Sequence, residues 1–153
     1  MVDHLVAMLG LYGATLAIAF LAGMFPLLSI ELFLVGAAAW GVAAGTLAVL
    51  IGIAAIGHQV AKTVTYYAGA SAVELPRGKL RARIAAARAW IERWNHRPRL
   101  MLLAGAALGL PPLYVLGFIA RPVMKLRIAT FTGISMAGRI VRYAALVAIA
   151  RLL

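Results

Sequence analysis

Between Asp3 and Lys62 a single charged residue, Glu31, stands in a run of Leu, Ala, Val, Ile, Gly and Phe. A lone carboxylate in such a run is costly unless it is neutralised, meets a cation or lines a wet cavity. Pro26, five residues earlier, breaks any helix that would carry the run forward. A helix break beside an ionisable residue at membrane depth is the pattern of a site built from discontinuous helices. Phe25-Pro26-Leu27-Leu28-Ser29-Ile30-Glu31 is therefore the stretch around which the chain is organised.

The composition makes membrane depth the expected setting. Of 153 residues 65% are hydrophobic and only 12% are charged. Ordinary soluble domains hold ~45–50% apolar and about 25% charged residues. The expected class is an all-α integral membrane protein of one domain. With no cysteine there is no disulfide and no thiolate site. His4, His58 and His96 lie in separate regions and lack metal-ligand spacing, so no metal or cofactor is expected. Asp3 is the only Asp, and no Ser-His-acid set or phosphate-binding Gly-rich signature occurs, so an enzyme is not expected.

The net charge of +11 is concentrated. Nine of the fifteen Lys and Arg residues fall between Lys62 and Arg99. A basic loop in a membrane chain follows the positive-inside rule, so it is expected on the cytoplasmic side, with no nucleic-acid partner. No basic residue precedes the first apolar run, which is therefore expected to be retained rather than cleaved.

In chain order, residues 5–42 read either as a hairpin broken at Gly23–Pro26 or as two short full spans. The short arms and connection favour the hairpin. Gly41 and Gly45 form a GxxxG pattern suited to close helix approach. Residues 46–67 read as a full span carrying His58, either a proton-handling group or a histidine bonded inside the bundle. Tyr66 and Tyr67 suggest an interfacial belt at its end. Over 76–98 the stripe Leu80, Ile84, Ala87, Ile91 and Trp94 predicts an amphipathic helix on the membrane surface. Its Arg81 and Arg88 are candidates for lipid head groups, or fix orientation alone.

Residues 100–120 are uncharged and broken at Pro111-Pro112, which predicts a second re-entrant hairpin. Arg121, a further head-group candidate, marks an interface with Lys125 and Arg127. The span over 126–150 carries Arg139 and Arg142 three residues apart, on one face. A central Arg costs at least ~2.5 kcal/mol on insertion scales, so Arg139 should face the bundle and find an anion. The alternative is a tilt that lets both arginines snorkel toward Arg151. Each half is thus a broken hairpin followed by a span. The second half is inverted relative to the first, and both termini face outward.

Several residues resemble the DedA family, also called the VTT-domain or SNARE-associated membrane proteins, and its small YqaA-like branch in particular. They are Phe25-Pro26 with Ser29-Ile30-Glu31, Gly57 with Tyr66-x-x-Gly69, Leu110-Pro111, Phe131, Gly138-Arg139 and Arg142-Tyr143. The match runs from about residue 20 to 148. The resemblance implies two facing re-entrant hairpins packed by spanning helices. It also implies movement of lipids between leaflets, of the undecaprenyl-phosphate or phospholipid class, often proton-coupled, in a bacterial inner membrane. Glu31 occupies the place of the family's functional carboxylate. Larger members carry Arg-x-x-Pro-x-x-Arg in the second hairpin, where this chain has Leu108-Gly109-Leu110-Pro111-Pro112-Leu113-Tyr114. Arg139, Arg142 or Arg121 is then the expected phosphate partner.

The expected function is a lipid or lipid-phosphate translocase, with Glu31, Arg139, Arg142 and His58 handling substrate and proton. Membrane lipids are the expected partners, and a homo-oligomer or a membrane-protein partner stays open. The alternatives are a non-transporting assembly protein and a proton-coupled carrier of small solutes.

Overall fold

The computed structural model describes residues 2–25, 27–72, 82, 85, 86, 89, 97–110 and 113–152. Among these, every regular element is a helix. The helices are α1 (Val2–Met24), α2 (Ile30–Ala39), α3 (Ala44–Ala72), α4 (Pro98–Leu108), α5 (Leu113–Ala120) and α6 (Ile128–Leu152). Two of them, over Ala44–Gly69 and Ile128–Leu152, are long and apolar enough to cross a membrane. That length and composition are compatible with a membrane protein. Most of the amphipathic helix expected over 76–98, including Arg81 and Arg88, lies outside the described residues, as do Pro26, Pro111 and Pro112.

The helix ends differ from the expected ones for local reasons. α1 runs through Gly23 to Met24, so the interruption is 25–29 rather than Gly23–Pro26. It ends at Ser29, whose hydroxyl accepts from the Leu32 amide and caps α2. α2 stops at Gly41, which takes φ +78, a left-handed conformation that glycine adopts without a Cβ penalty. Gly41 is thus a terminator, and the GxxxG reading of Gly41 and Gly45 is corrected: no heavy atom waits within 4 Å of a Cβ at either. Gly109, φ +81, ends α4 in the same way.

The chain divides into two compact units. The first holds Met1–Ala61 with Arg139–Leu153. Here Gly57 meets Leu16 and Ala19, while Gly23 meets His58 and Ala61, so α1 and α3 run parallel. A Cβ on Gly23 would come within 2.5 Å of Ala61 Cβ, an approach only glycine permits. α6 runs antiparallel to α3: Tyr143 meets His58, and Arg151 donates to the Val42 carbonyl. α2 lies parallel to α6, with Glu31 beside Arg142. It follows that α1 and α2 are antiparallel arms of one helical hairpin. Ile30, Leu34, Leu50, Ala54 and Val147 are buried in this unit.

The second unit holds Lys62–Gly138. Its core is Tyr66, Met101, Leu102, Leu116, Ile119, Ala120, Met124, Leu126 and Phe131. α4 and α5 pack on each other. Gly69 takes the backbone of Phe118 so closely that a Cβ would overlap its carbonyl oxygen at 1.8 Å. Tyr66 is 4% exposed, stacks near Phe131 with ring centroids 5.2 Å apart, and donates to the Leu126 carbonyl at 2.7 Å. This corrects the belt reading for Tyr66, because its hydroxyl finds a carbonyl partner inside. Tyr67 is exposed.

Candidate functional site

The site in the first unit begins at the N-terminus of α2. With Ser29 as cap, Glu31 falls in the first helical turn, where the helix dipole favours a negative charge. The Ser29 hydroxyl donates to Glu31 Oε2 at 3.1 Å while accepting from the Leu32 amide at 3.3 Å. One short side chain therefore both ends the 25–29 break and aims the carboxylate.

α6 supplies the cations. Arg142 Nε lies 2.9 Å from Glu31 Oε1, in an ion pair whose side chains are about a quarter exposed. The same Nε makes no hydrogen bond, so the contact is an approach of charges rather than an aligned donor and acceptor. Arg139, one turn earlier, is 2% exposed. Its Nη1 donates to Gln59 Oε1 at 3.3 Å. Its Nη2 is buried with no hydrogen-bond partner. An unmatched buried donor on a charged group is costly, and more so than on a neutral one.

α3 supplies two further members. His58 Nδ1 lies 2.9 Å from the Tyr143 hydroxyl, and Gln59 is 5% exposed. Glu31 is in electrostatic reach of both Arg139 and Tyr143. Two guanidinium groups against one carboxylate leave this cluster one positive charge in excess. With an unmatched N–H beside it, the arrangement can accept an anion.

The cluster brings together Glu31, Arg142, Arg139 and His58. The expected choice of partners is resolved: Arg142 takes Glu31, and Arg139 takes Gln59. Arg139 is buried rather than snorkelled toward Arg151, and His58 is bonded inside the bundle. Arg121 is exposed and belongs to the second unit. Sequence reading missed Ser29 as a cap, Gln59 and Tyr143 as partners, and Lys62 as a buried residue at 3% exposure. The cap was legible, since a serine two residues before a lone Glu and just after a break fits a helix start. Among the described residues no group of three His, Cys, Asp or Glu could hold a metal ion. Neither a protein-family model, nor a curated protein, nor a solved structure matches the chain.

Proposed function

We propose that this protein is an integral membrane translocase for lipids with an anionic phosphate head group, and that the Glu31–Arg142–Arg139 cluster is its binding site. The observation that carries the reading is the buried, unmatched Nη2 of Arg139 beside a cluster with excess positive charge. A guanidinium suits phosphate because its donors match the oxygen spacing.

Depth supports the reading. From Arg142 to Arg151 the rise along α6 is ~13 Å, and from Glu31 to Ala39 along α2 it is ~12 Å. Arg151 reaches the Val42 carbonyl just past α2, beside an 88% exposed Trp40, as residues at a headgroup level do. The two helix lengths put the ion pair, in this reading, ~12–13 Å below one interface, against ~15 Å for half of a ~30 Å hydrocarbon core. In this reading α1 and α2 form a re-entrant hairpin with its tip near the membrane centre. The irregular 25–29 backbone is tolerated there because it lines a site.

The tip also carries apolar surface. Phe25, Leu27, Leu28 and Leu32 are exposed around Ser29 and Glu31, Leu27 at 96%. A carrier of soluble anions has no use for such a rim, whereas a lipid keeps its tail against it while the head group enters. The resemblance to the DedA family agrees with this reading, in which the basic segment over 77–99 faces the cytoplasm of a bacterial inner membrane.

The test is movement of a fluorescent phosphatidic acid analogue across proteoliposomes containing wild type or Arg139→Gln. Wild type should equilibrate the leaflets and the variant should not. Equal rates would overturn the reading. Inorganic phosphate carried as fast as the lipid would overturn the lipid assignment.

A further inference from the structure

We infer that Gln59 is the charge-selecting residue of the first-unit site: it meets Arg139 with a neutral acceptor, so the guanidinium is held without being neutralised and the site favours a head group by its negative charge. The inference rests on the proposed anion site and deepens it.

The two arginines of α6 are met differently. Arg142 faces a carboxylate, with Nε 2.9 Å from Glu31 Oε1. Arg139 faces an amide, and its Nη1 donates to Gln59 Oε1 at 3.3 Å. A guanidinium has donors and no acceptor, so chemistry alone fixes the amide oxygen as the atom it meets on Gln59. Both side chains of this pair are buried. An arginine at such depth is ordinarily paired with an acid. The carboxylate in its electrostatic reach is Glu31, which Arg142 already holds. Gln59 thus satisfies one N–H of Arg139 and none of its charge, and Nη2 stays unmatched.

Position lets residue 59 decide the charge of the site. Its neighbour His58 meets the Tyr143 hydroxyl at 2.9 Å, and Tyr143 lies one turn beyond Arg139 on α6. Two contacts one turn apart set the register of α3 against α6, so a side chain of this length at 59 reaches the guanidinium whatever its charge. Glutamine and glutamate share length and shape. A carboxylate at 59 would accept the same Nη1 bond and bring the cluster to two guanidinium groups against two carboxylates. The excess positive charge that favours an anion would be gone. An apolar side chain at 59 would remove the acceptor and leave that excess in place. Neutrality at 59, rather than the bond itself, is what selects for negative charge.

Two probes of equal alkyl carbon number read the selection: dihexyl phosphate, a monoanion, and tributyl phosphate, which is neutral. Each is titrated calorimetrically at neutral pH against the detergent-purified full chain. Wild type should bind dihexyl phosphate more tightly than tributyl phosphate. Gln59→Glu should weaken dihexyl phosphate on the order of 100-fold, the effect of a unit charge ~6 Å away at an effective dielectric of ~20. It should leave tributyl phosphate nearly unchanged, so the preference collapses. Gln59→Met, similar in length but without acceptor or charge, should keep the preference. A preference that survives Gln59→Glu, or that is also lost in Gln59→Met, overturns the inference. So does an equal loss of both probes in Gln59→Glu, which would mark damage to the site rather than a change in its charge. Should Gln59→Glu not fold, retention of the preference in Gln59→Met supports the inference and its loss overturns it. If wild type itself shows no preference for dihexyl phosphate, the anion site is wrong and the inference falls with it.

Discussion

In the first unit the 25–29 break ends on Ser29, Arg142 meets Glu31 just beyond it, and Arg139 with Gln59 and His58 with Tyr143 form two further bonded pairs. In the second unit the break after α4 carries Gly109 and Leu110, and the surrounding core is Met101, Leu102, Leu116, Ile119 and Phe131. Each unit packs a pair of consecutive helices, α1 and α2 or α4 and α5, with parts of α3 and α6. The first surrounds its helices with an ion pair and hydrogen-bonded side chains, the second with a mainly apolar core into which Tyr66 donates a buried hydrogen bond. The difference teaches that a broken hairpin is not by itself a site. What distinguishes the first unit is an unmet bonding demand on a charged group, Arg139 Nη2, whereas the unmatched buried group of the second unit is the neutral hydroxyl of Ser135.

The largest expected contrast lies between cations of the two units. Arg139→Gln should slow lipid movement by ~10–100-fold, the worth of ~1.5–3 kcal/mol for hydrogen bonding to a charged group. Arg127→Gln, which removes the same charge from an exposed position of the second unit, should leave the rate unchanged. Equal losses would make net charge, not the site, responsible.

Stability should divide the units in the opposite sense. Gly69→Ala drives a methyl group into the Phe118 carbonyl and should lower the unfolding free energy by ~3 kcal/mol or more, read as a reduced midpoint of thermal unfolding in detergent. Arg139→Met should raise that midpoint while abolishing transport, because replacing a poorly matched buried ion by an apolar chain of similar volume is often stabilising by ~1–4 kcal/mol. A lowered midpoint would mean that Arg139 is structural.

Smaller effects sharpen the picture. Tyr66→Phe leaves the Leu126 carbonyl without its donor and should cost ~1–2 kcal/mol of stability with the transport rate intact. Ser29→Ala should cost ~1 kcal/mol through the lost cap and also slow transport, since the same hydroxyl aims Glu31. Stability lost without a change in rate would separate the cap from the site.

Much of this was legible in the sequence because the signals were scarce. A single Glu in an apolar run and two arginines one turn apart leave few ways to arrange charge, and the helical character follows from composition. Register was not legible. Arg142 and Arg139 are equivalent in spacing arguments, and the assignment of Glu31 to the former comes from the parallel packing of α2 and α6. Gly41 looked like a packing glycine because small residues are common in such chains, while its role depends on a positive φ that no spacing rule reveals. Tyr66 looked interfacial for the same kind of reason, since a tyrosine near a helix end marks an interface only when no carbonyl lies within reach.

The central claim is that the tip of the α1–α2 hairpin, with its charged pair, lies near the centre of a bilayer while the α2–α3 connection lies at its surface. The chain has no cysteine, so single cysteines can be introduced at Leu28 and at Trp40, both exposed, and labelled with a nitroxide. Power saturation in liposomes with oxygen and a water-soluble nickel chelate then gives the depth of each. The label at position 28 should sit ~10 Å or more below the label at position 40, as the length of α2 requires. Equal depths, or a label at position 28 reporting the opposite headgroup region, would contradict the account.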